Sequence, residues 1–224
     1  MINLKNFIER DPEIIALCRG KSVLHLGCVG FTDCSVSEKT RLARESLHAA
    51  ITEVADQCLG VDLDGETVTQ LTNGGVFNNL VEGNVEKLSE LDLSPKVFDL
   101  VIAGDIIEHL SNPGLMLDGI QERLGSGGQL LVSTPNSFGI ASWIRVLFGR
   151  FREGAQHVLC FNPITLEQLL NRHNLEVTSA STCYQTRAAQ NYGKSFKVLR
   201  AILRKFPKFG GTLYYVCTPR KSDN

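Results

Sequence analysis

The chain has no run approaching about 20 apolar residues, so nothing in it predicts a membrane-spanning helix. Its start, Met1-Ile-Asn-Leu-Lys-Asn, lacks the apolar core of a secretory leader, which predicts a cytoplasmic location. The seven cysteines (18, 28, 34, 58, 160, 183 and 217) include no C-x-x-C pair. An odd number scattered through apolar segments reads as reduced structural thiols, and neither Cys28 nor Cys160 has the neighbours of an activated thiolate. Acid is missing from one end. Val177 to Ser222 holds nine Lys and Arg but no Asp or Glu, leaving 14 cations against 24 acids elsewhere. A basic end on an acidic body is either a solvated face or one that meets something anionic, such as phosphate groups or a membrane surface.

What is present suffices for one sizeable core. With 224 residues and 43% hydrophobic content, a single domain over 1–224 is expected. Ser22 to Leu26 is a short apolar run stopped by Gly27, with Gly30 three residues on, as expected of a buried strand turning beneath a ligand. Cys58 to Asp64 predicts a second strand ending in two acids, Asp62 and Asp64. Strand, glycine turn, helix, strand and acid outline a nucleotide-binding βαβ unit. A dinucleotide fold needs a third glycine for its pyrophosphate; here it is absent, as is any Tyr-x-x-x-Lys pair, which argues against a nicotinamide dehydrogenase.

Along the chain, a helix is expected around Phe7-Ile-Glu-Arg, followed by a second over Pro12 to Cys18, where Asp11 caps and Pro12 occupies the first turn. After Gly30, Leu47, Ile51, Val54 and Cys58 recur at helical spacing, with Ser37 as a cap. Gly27 and Asp62 are 35 residues apart, longer than a minimal unit, so residues from Phe31 to about Thr40 are expected to loop over the ligand, with Asp33 as its polar group. A helix over Glu66 to Leu71 and a strand over Asn79 to Glu82 follow. Phe98 to Ala103 reads as a buried parallel strand, leading into Gly104-Asp105-Ile-Ile-Glu108-His109. In a helical turn Asp105, Glu108 and His109 share a face at i, i+3 and i+4. Strands are also expected at Gln129 to Ser133, Leu175 to Ala180 and Thr212 to Thr218. Ile140 to Arg152 mixes apolar residues with three arginines, readable as a lid on the substrate side or as core packing. Lys194 to Phe206 carries only basic charge and a broad apolar face, the composition of an interfacial or partner-binding helix.

Three motifs in order carry a family resemblance: Leu24-His-Leu-Gly-Cys-Val-Gly, then Phe98-Asp-Leu-Val-Ile-Ala-Gly-Asp-Ile-Ile-Glu-His-Leu, then Leu124-Gly-Ser-Gly-Gly-Gln-Leu-Leu-Val-Ser-Thr-Pro-Asn. From about Val23 to Leu170 the chain resembles the class I S-adenosylmethionine-dependent methyltransferases, in a branch with Glu-His-Leu after the fourth strand and Thr-Pro-Asn after the fifth. The resemblance implies an α/β fold: a Rossmann-like, seven-stranded, mostly parallel sheet with helices on both faces. Its last strand would be antiparallel, near the sheet edge, and the basic amphipathic stretch at about 185–210 an insertion. It implies S-adenosyl-L-methionine contacts from Gly27, Cys28, Gly30, Asp33, Asp62 (the ribose hydroxyls), Leu63, Asn84, Val85, Gly104 and Asp105. His25 stands where the family more usually has an acid, and Asn84 where relatives often have Asp.

For chemistry, Asp105, Glu108 and His109 are the candidate catalytic residues. Asp105-x-x-Glu108-His109 is similar to the element that meets a divalent metal in ubiquinone-pathway O-methyltransferases and small-RNA 2′-O-methyltransferases, and His157 would be the further histidine of such a site. Alternatively His109 acts as a base or orients the acceptor, or the pair only holds the loop. The expected acceptor is a small-molecule, glycan or lipid-linked hydroxyl, with peripheral contact to the inner face of a membrane. RNA, for which no binding module is evident, and a catalytically silent S-adenosylmethionine-binding partner subunit are the rival readings.

Overall fold

The structure is a computed structural model describing residues 4–30, 35–150, 154, 156–184 and 193–220. Eight strands form one sheet: β1 (Phe7–Glu9), β2 (Ser22–Leu26), β3 (Gln57–Asp62), β4 (Leu80–Glu82), β5 (Phe98–Gly104), β6 (Leu124–Pro135), β7 (Leu175–Tyr184) and β8 (Thr212–Pro219). Their order is β1-β7-β8-β6-β5-β2-β3-β4. The β2/β3, β2/β5, β3/β4 and β1/β7 pairs are parallel, and β7/β8 is antiparallel. Two expectations are corrected. The sheet has eight strands rather than seven, and the last strand lies inside it, between β7 and β6, rather than towards an edge.

The eighth strand is β1, where a helix was expected. Phe7 pairs with Thr182 and Glu9 with Tyr184, so the backbone finds partners in β7 instead of its own turn. The buried Phe7 ring lies 5.3 Å from that of Tyr184, whose hydroxyl donates to Glu9 at 3.1 Å. Helix α1 (Arg10–Cys18) begins only after it and takes Asp11 and Pro12 into its first turn.

Contacts gather into two compact units. The first comprises residues 14–104 and 112–130. Its strands are apolar on both faces, as parallel strands covered on both sides must be. Val23, Leu24, Leu26, Val61, Leu100, Val101, Ile102 and Ala103 are all fully buried. The expected single helix after Gly30 is two, α2 (Val36–Arg44) and α3 (Leu47–Val54), and Cys58 lies in β3 rather than on a helix. The break falls at Ser46, whose Oγ accepts from Ala49 N–H and so caps α3; Ser35, not Ser37, stands at the N-cap of α2. Helix α4 (Gly65–Asn73) is capped by Asp64, which accepts from both the N–H and the hydroxyl of Thr67. Helix α5 (Pro113–Arg123) ends in the buried Arg123, whose guanidinium donates to the carbonyls of Leu88, Ser89 and Leu91.

The second unit comprises residues 1–13, 105–111 and 131–224. It is built on the β7/β8 ribbon, and Leu166 and Leu170 of α7 (Pro163–Arg172) are buried. Asn162 and Thr165 form a capping box at the start of α7. Helix α6 (Ile140–Leu147) has no buried residue, which overturns core packing as its role. Helix α8 (Gly193–Lys205) carries the expected basic segment. Among the described residues no helix is long and apolar enough to cross a membrane.

Candidate active site

In the first unit β2 stops at Gly27, which turns at φ +65°, a conformation open to glycine, while its N–H donates to Val61 O at 2.9 Å. The turn is then fastened by a carboxylate. Asp62, at the end of β3 and 9% exposed, accepts from Val29 N–H at 2.7 Å and Asp64 N–H at 3.1 Å. Burial raises its pKa against the pull of those backbone bonds. A carboxylate has about four lone-pair sites, so two backbone donors leave capacity for ribose hydroxyls.

A Cβ placed on Gly30 would meet nothing within 4 Å, and the Leu63 side chain is 71% exposed beside Asp62. Open space over a glycine turn, an acid below it and an exposed apolar side chain next to the acid fit a nucleoside. Cys28 differs, because its side chain is buried in a cluster with Val29, Ala43, Val68 and Leu71, which leaves only its backbone to face a ligand. Val85 is buried as well. The Asn84 amide oxygen already accepts from Glu86 N–H at 2.9 Å, capping a 3₁₀ turn. Asp33 lies outside the described residues.

His25 is buried and faces the core. Its Nδ1 lies 3.3 Å from that of His48 with the rings stacked, and burial lowers the His48 pKa to about 4 although a hydrogen bond with Asn79 opposes it.

In the second unit the sequence after Gly104 does not form one helical turn. Asp105 sits at φ +51°, outside the 3₁₀ turn Ile107–His109, and its N–H donates to Ser133 O at 2.8 Å. Its carboxylate pairs with Arg10 and accepts from Ser133 Oγ. Its carboxylate is thus turned to Arg10 rather than joining Glu108 and His109. Those two meet His157 instead, with one donor atom from each of the three lying within 4.8 Å of the others.

Backbone bonds make that meeting. Glu108 O accepts from Val158 N–H at 2.9 Å and Leu159 N–H at 3.1 Å, which staples the 3₁₀ turn to the loop holding His157. His109 Nδ1 lies 3.1 Å from Gln156 O; a carbonyl only accepts, so this nitrogen carries the proton and Nε2 is left to act as acceptor, base or ligand. The two imidazoles stand edge to face with centroids 4.8 Å apart. Gly154 packs on His157 so closely that a Cβ there would lie 2.5 Å from Nε2.

Glu108 is 1% exposed. Its Oε2 accepts from Thr134 Oγ1 at 2.8 Å, while the buried Oε1 has no hydrogen-bond partner among the described residues. Burial pushes its pKa up to about 7; Asp105 adds to the rise, while a backbone bond, Thr134 and His157 pull the other way. An orphaned carboxylate oxygen beside two imidazoles fits a divalent cation or a donating hydroxyl. Donors bonded to one cation at about 2.1 Å stand about 3.0 to 3.4 Å apart, so any of these atoms near the 4.8 Å limit would have to move together by more than about 1 Å on binding.

Glu108 and His157 line a partly open recess together with Pro135, Asn136, Ser137, Ser142, Arg145, Leu159, Cys160, Phe161 and Gly211. Arg145 reaches it from α6 and donates to Ser142 Oγ at 3.1 Å. The buried Asn136 fixes the far wall: its side chain donates to Gly210 O and accepts from Phe138 N–H, and its own N–H donates to Gly211 O. Sequence reasoning missed Arg10, Thr134 and Gly154. Thr134 and Asn136 stand in the Thr-Pro-Asn motif, which marked them only as a turn, and nothing local marks the other two.

A family model described as a methyltransferase domain matches residues 17–180. Among curated proteins, the mitochondrial ubiquinone biosynthesis O-methyltransferase of Dictyostelium discoideum is 25% identical over 179 residues, covering 76% of this chain and 54% of that protein. A probable S-adenosylmethionine-dependent methyltransferase of Mycolicibacterium smegmatis is 29% identical over 164 residues, covering 71% of this chain and 54% of that protein. The chain thus spans about half the length of these curated relatives. Of solved structures, an S-adenosylmethionine-dependent methyltransferase from Clostridium acetobutylicum aligns with TM-score 0.60 at 14% identity, covering 94% of this chain and 91% of that one. The magnesium protoporphyrin IX methyltransferase of Synechocystis, with bound SAH, aligns with TM-score 0.58 at 12% identity, covering 94% and 82%. At those identities the structures speak for the fold, and the family model, spanning most of the chain, speaks for descent. The chain belongs to the class I S-adenosylmethionine-dependent methyltransferase family.

Proposed function

We propose that the protein transfers the methyl group of S-adenosylmethionine to a hydroxyl of a small-molecule, sugar or lipid-linked acceptor. The observation that carries the reading is the buried Glu108, whose Oε1 has no hydrogen-bond partner among the described residues, beside His109 and His157. An oxygen nucleophile needs its proton managed, and this trio can do that; aligning donor and acceptor contributes the rest, on the order of 7 to 11 kcal/mol. The curated relative from Dictyostelium discoideum, an O-methyltransferase by name, supports the same choice of atom.

In this reading the first unit binds the donor. Asp62 accepts from the ribose hydroxyls, the backbone from Gly27 to Gly30 lies under the ligand, Leu63 covers an adenine face, and Asn84, Val85 and Gly104 complete the contacts. When bound, S-adenosylmethionine supplies an electrophilic methyl group on a sulfonium. The acceptor oxygen attacks that carbon with a lone pair, the carbon–sulfur bond breaks towards sulfur, and the hydroxyl proton passes to His109 Nε2. Glu108 and His157 orient the hydroxyl and bear the resulting charge. Glu108, His109 and His157 would also hold a divalent cation, which would supply Lewis acidity to lower the acceptor pKa. Asp105, fixed by Arg10, sets the start of the turn that presents Glu108 and His109.

Calorimetric titration with S-adenosylmethionine, with NAD as control, tests the donor; binding of the first alone is expected, and binding of neither would overturn the reading. Transfer of a labelled methyl group to hydroxylated acceptors, with chelator or with Mg²⁺, tests the chemistry. Loss of transfer in chelator assigns the proton's removal to the metal-assisted form, and retention assigns it to His109.

A further inference from the structure

Helix α6 puts its apolar residues into solvent. Trp143 is 61% exposed, Ile144 50%, Leu147 81% and Phe148 74%. Trp143 with Leu147, and Ile144 with Phe148, stand four residues apart, so the four make one outward stripe. Ser142 and Arg145, on the other side, line the recess beside Glu108. Such a patch on a soluble surface marks a contact. Helix α8 and the turn after it repeat the pattern, with Val198, Ile202 and Phe206 at 64%, 47% and 50% exposure and Lys197, Arg204 and Lys205 exposed among them.

The turn that leads into α6 is tied to the turn that follows α8. Asn136, three residues before the Gly139 that caps α6, donates to the carbonyls of Lys208 and Gly210 beyond α8. A Cβ on Gly139 would lie 3.1 Å from Gly210 O. Across Ser137 to Arg150 and Gly193 to Gly211 there are eight Lys and Arg and no acid. Exposed aromatic and aliphatic residues interleaved with cations alone suit a surface that is apolar beneath an anionic layer. Nucleic acid would use the cations and leave the aliphatic stripe in water.

We propose that α6 and α8 seat this protein on an anionic lipid bilayer, with Trp143, Leu147 and Phe148 entering the acyl boundary and the cations of α8 meeting the headgroups. The recess behind Arg145 then opens beside the lipid surface. This inference stands apart from the methyl-transfer reading and is tested without cofactor or acceptor.

Trp143 is the only tryptophan in the chain, so its emission reports on α6 alone. The protein is mixed with vesicles of phosphatidylcholine plus phosphatidylglycerol, with phosphatidylcholine alone, and with no lipid. A blue shift on the anionic vesicles, quenching by brominated acyl chains and co-flotation are expected. K197Q/R204Q/K205Q lowers the partition coefficient about a hundredfold at low salt. L147N/F148S abolishes the shift. All five positions are exposed, so an unchanged melting transition certifies the fold. No shift on anionic vesicles overturns the proposal, as does equal binding to neutral ones. A lipid-free shift that grows with protein concentration assigns the stripe to a second copy of the chain instead. Displacement from vesicles by single-stranded RNA that itself causes no shift assigns the cations to nucleic acid.

Discussion

Glu108→Gln should stabilise the metal-free protein in neutral and alkaline solution while removing transfer activity. The folded protein keeps the Glu108 proton up to about pH 7, whereas a glutamate in the unfolded chain loses it near its ordinary 4.5. Between those values folding takes up a proton, so the carboxyl's contribution falls as pH rises through the window and the deficit is complete above it. At about 1.36 kcal/mol per unit, this corresponds to about 3 kcal/mol. Glutamine keeps an acceptor for Thr134 but buries an amide short of partners, which takes back about 1 kcal/mol. The net gain at pH 8 is about 2 kcal/mol, or about 4 to 8 °C in Tm for a chain of this size. At pH 5 the gap closes or changes sign. Urea unfolding of both proteins from pH 5 to 8 in chelator measures it. Divalent cation should raise only the wild-type curve. A gap independent of pH would refute the argument, because burial of the charge would then not be what Glu108 contributes.

Four further outcomes follow from the geometry. His48, whose pKa burial lowers from 6.5 to about 4, gives the opposite slope: the unfolded chain binds the proton first, so stability falls as pH drops through that window. His48→Leu should remove this loss, and because it offsets Glu108 over most of the same range, each effect is visible only against its own variant in urea titrations. Asp62→Ala should weaken S-adenosylmethionine binding about 100-fold or more in calorimetry, since two charge-assisted hydrogen bonds of about 1.5 to 3 kcal/mol each are lost. Gly154→Ala should displace His157 and lower divalent-cation affinity at least about tenfold by calorimetric titration, with donor binding unchanged. Asn136→Ala should cost about 1 to 3 kcal/mol in urea unfolding, because Gly210 O and Phe138 N–H both lose a buried partner.

How much was legible in the sequence depended on whether a residue's partner was local. Strands β2, β3, β5 and β6 were readable because buried parallel strands must be nearly continuous apolar runs, and the turn at Gly27 and the acid at the end of β3, Asp62, because glycine and a terminal carboxylate punctuate such runs. β1 was not, since three residues carry no periodicity and its pairing with β7 is made by backbone 175 residues away. The apparent single helix through Cys58 failed for a related reason: Leu47, Ile51 and Val54 do lie on α3, but Ser46 starts it afresh, and helical spacing continued by accident into β3.

The site divides along the same line. Glu108 and His109 were visible as neighbours, but what gathers His157 to them is a pair of backbone bonds from Val158 and Leu159 to one carbonyl, which leaves no trace in side-chain chemistry. Asp105 went elsewhere because Arg10, 95 residues earlier, offers it a cation, and because its left-handed backbone takes it out of the 3₁₀ turn that carries Glu108 and His109. The buried carboxyl of Glu108 is costly to the fold, and among the described residues Thr134 satisfies only one of its two oxygens. A protein that needed only stability would put a neutral residue at that position; the residue that is there makes sense if the second oxygen is kept for a cation or an acceptor hydroxyl. The Glu108→Gln measurement decides this, because the same substitution must raise stability and abolish transfer together.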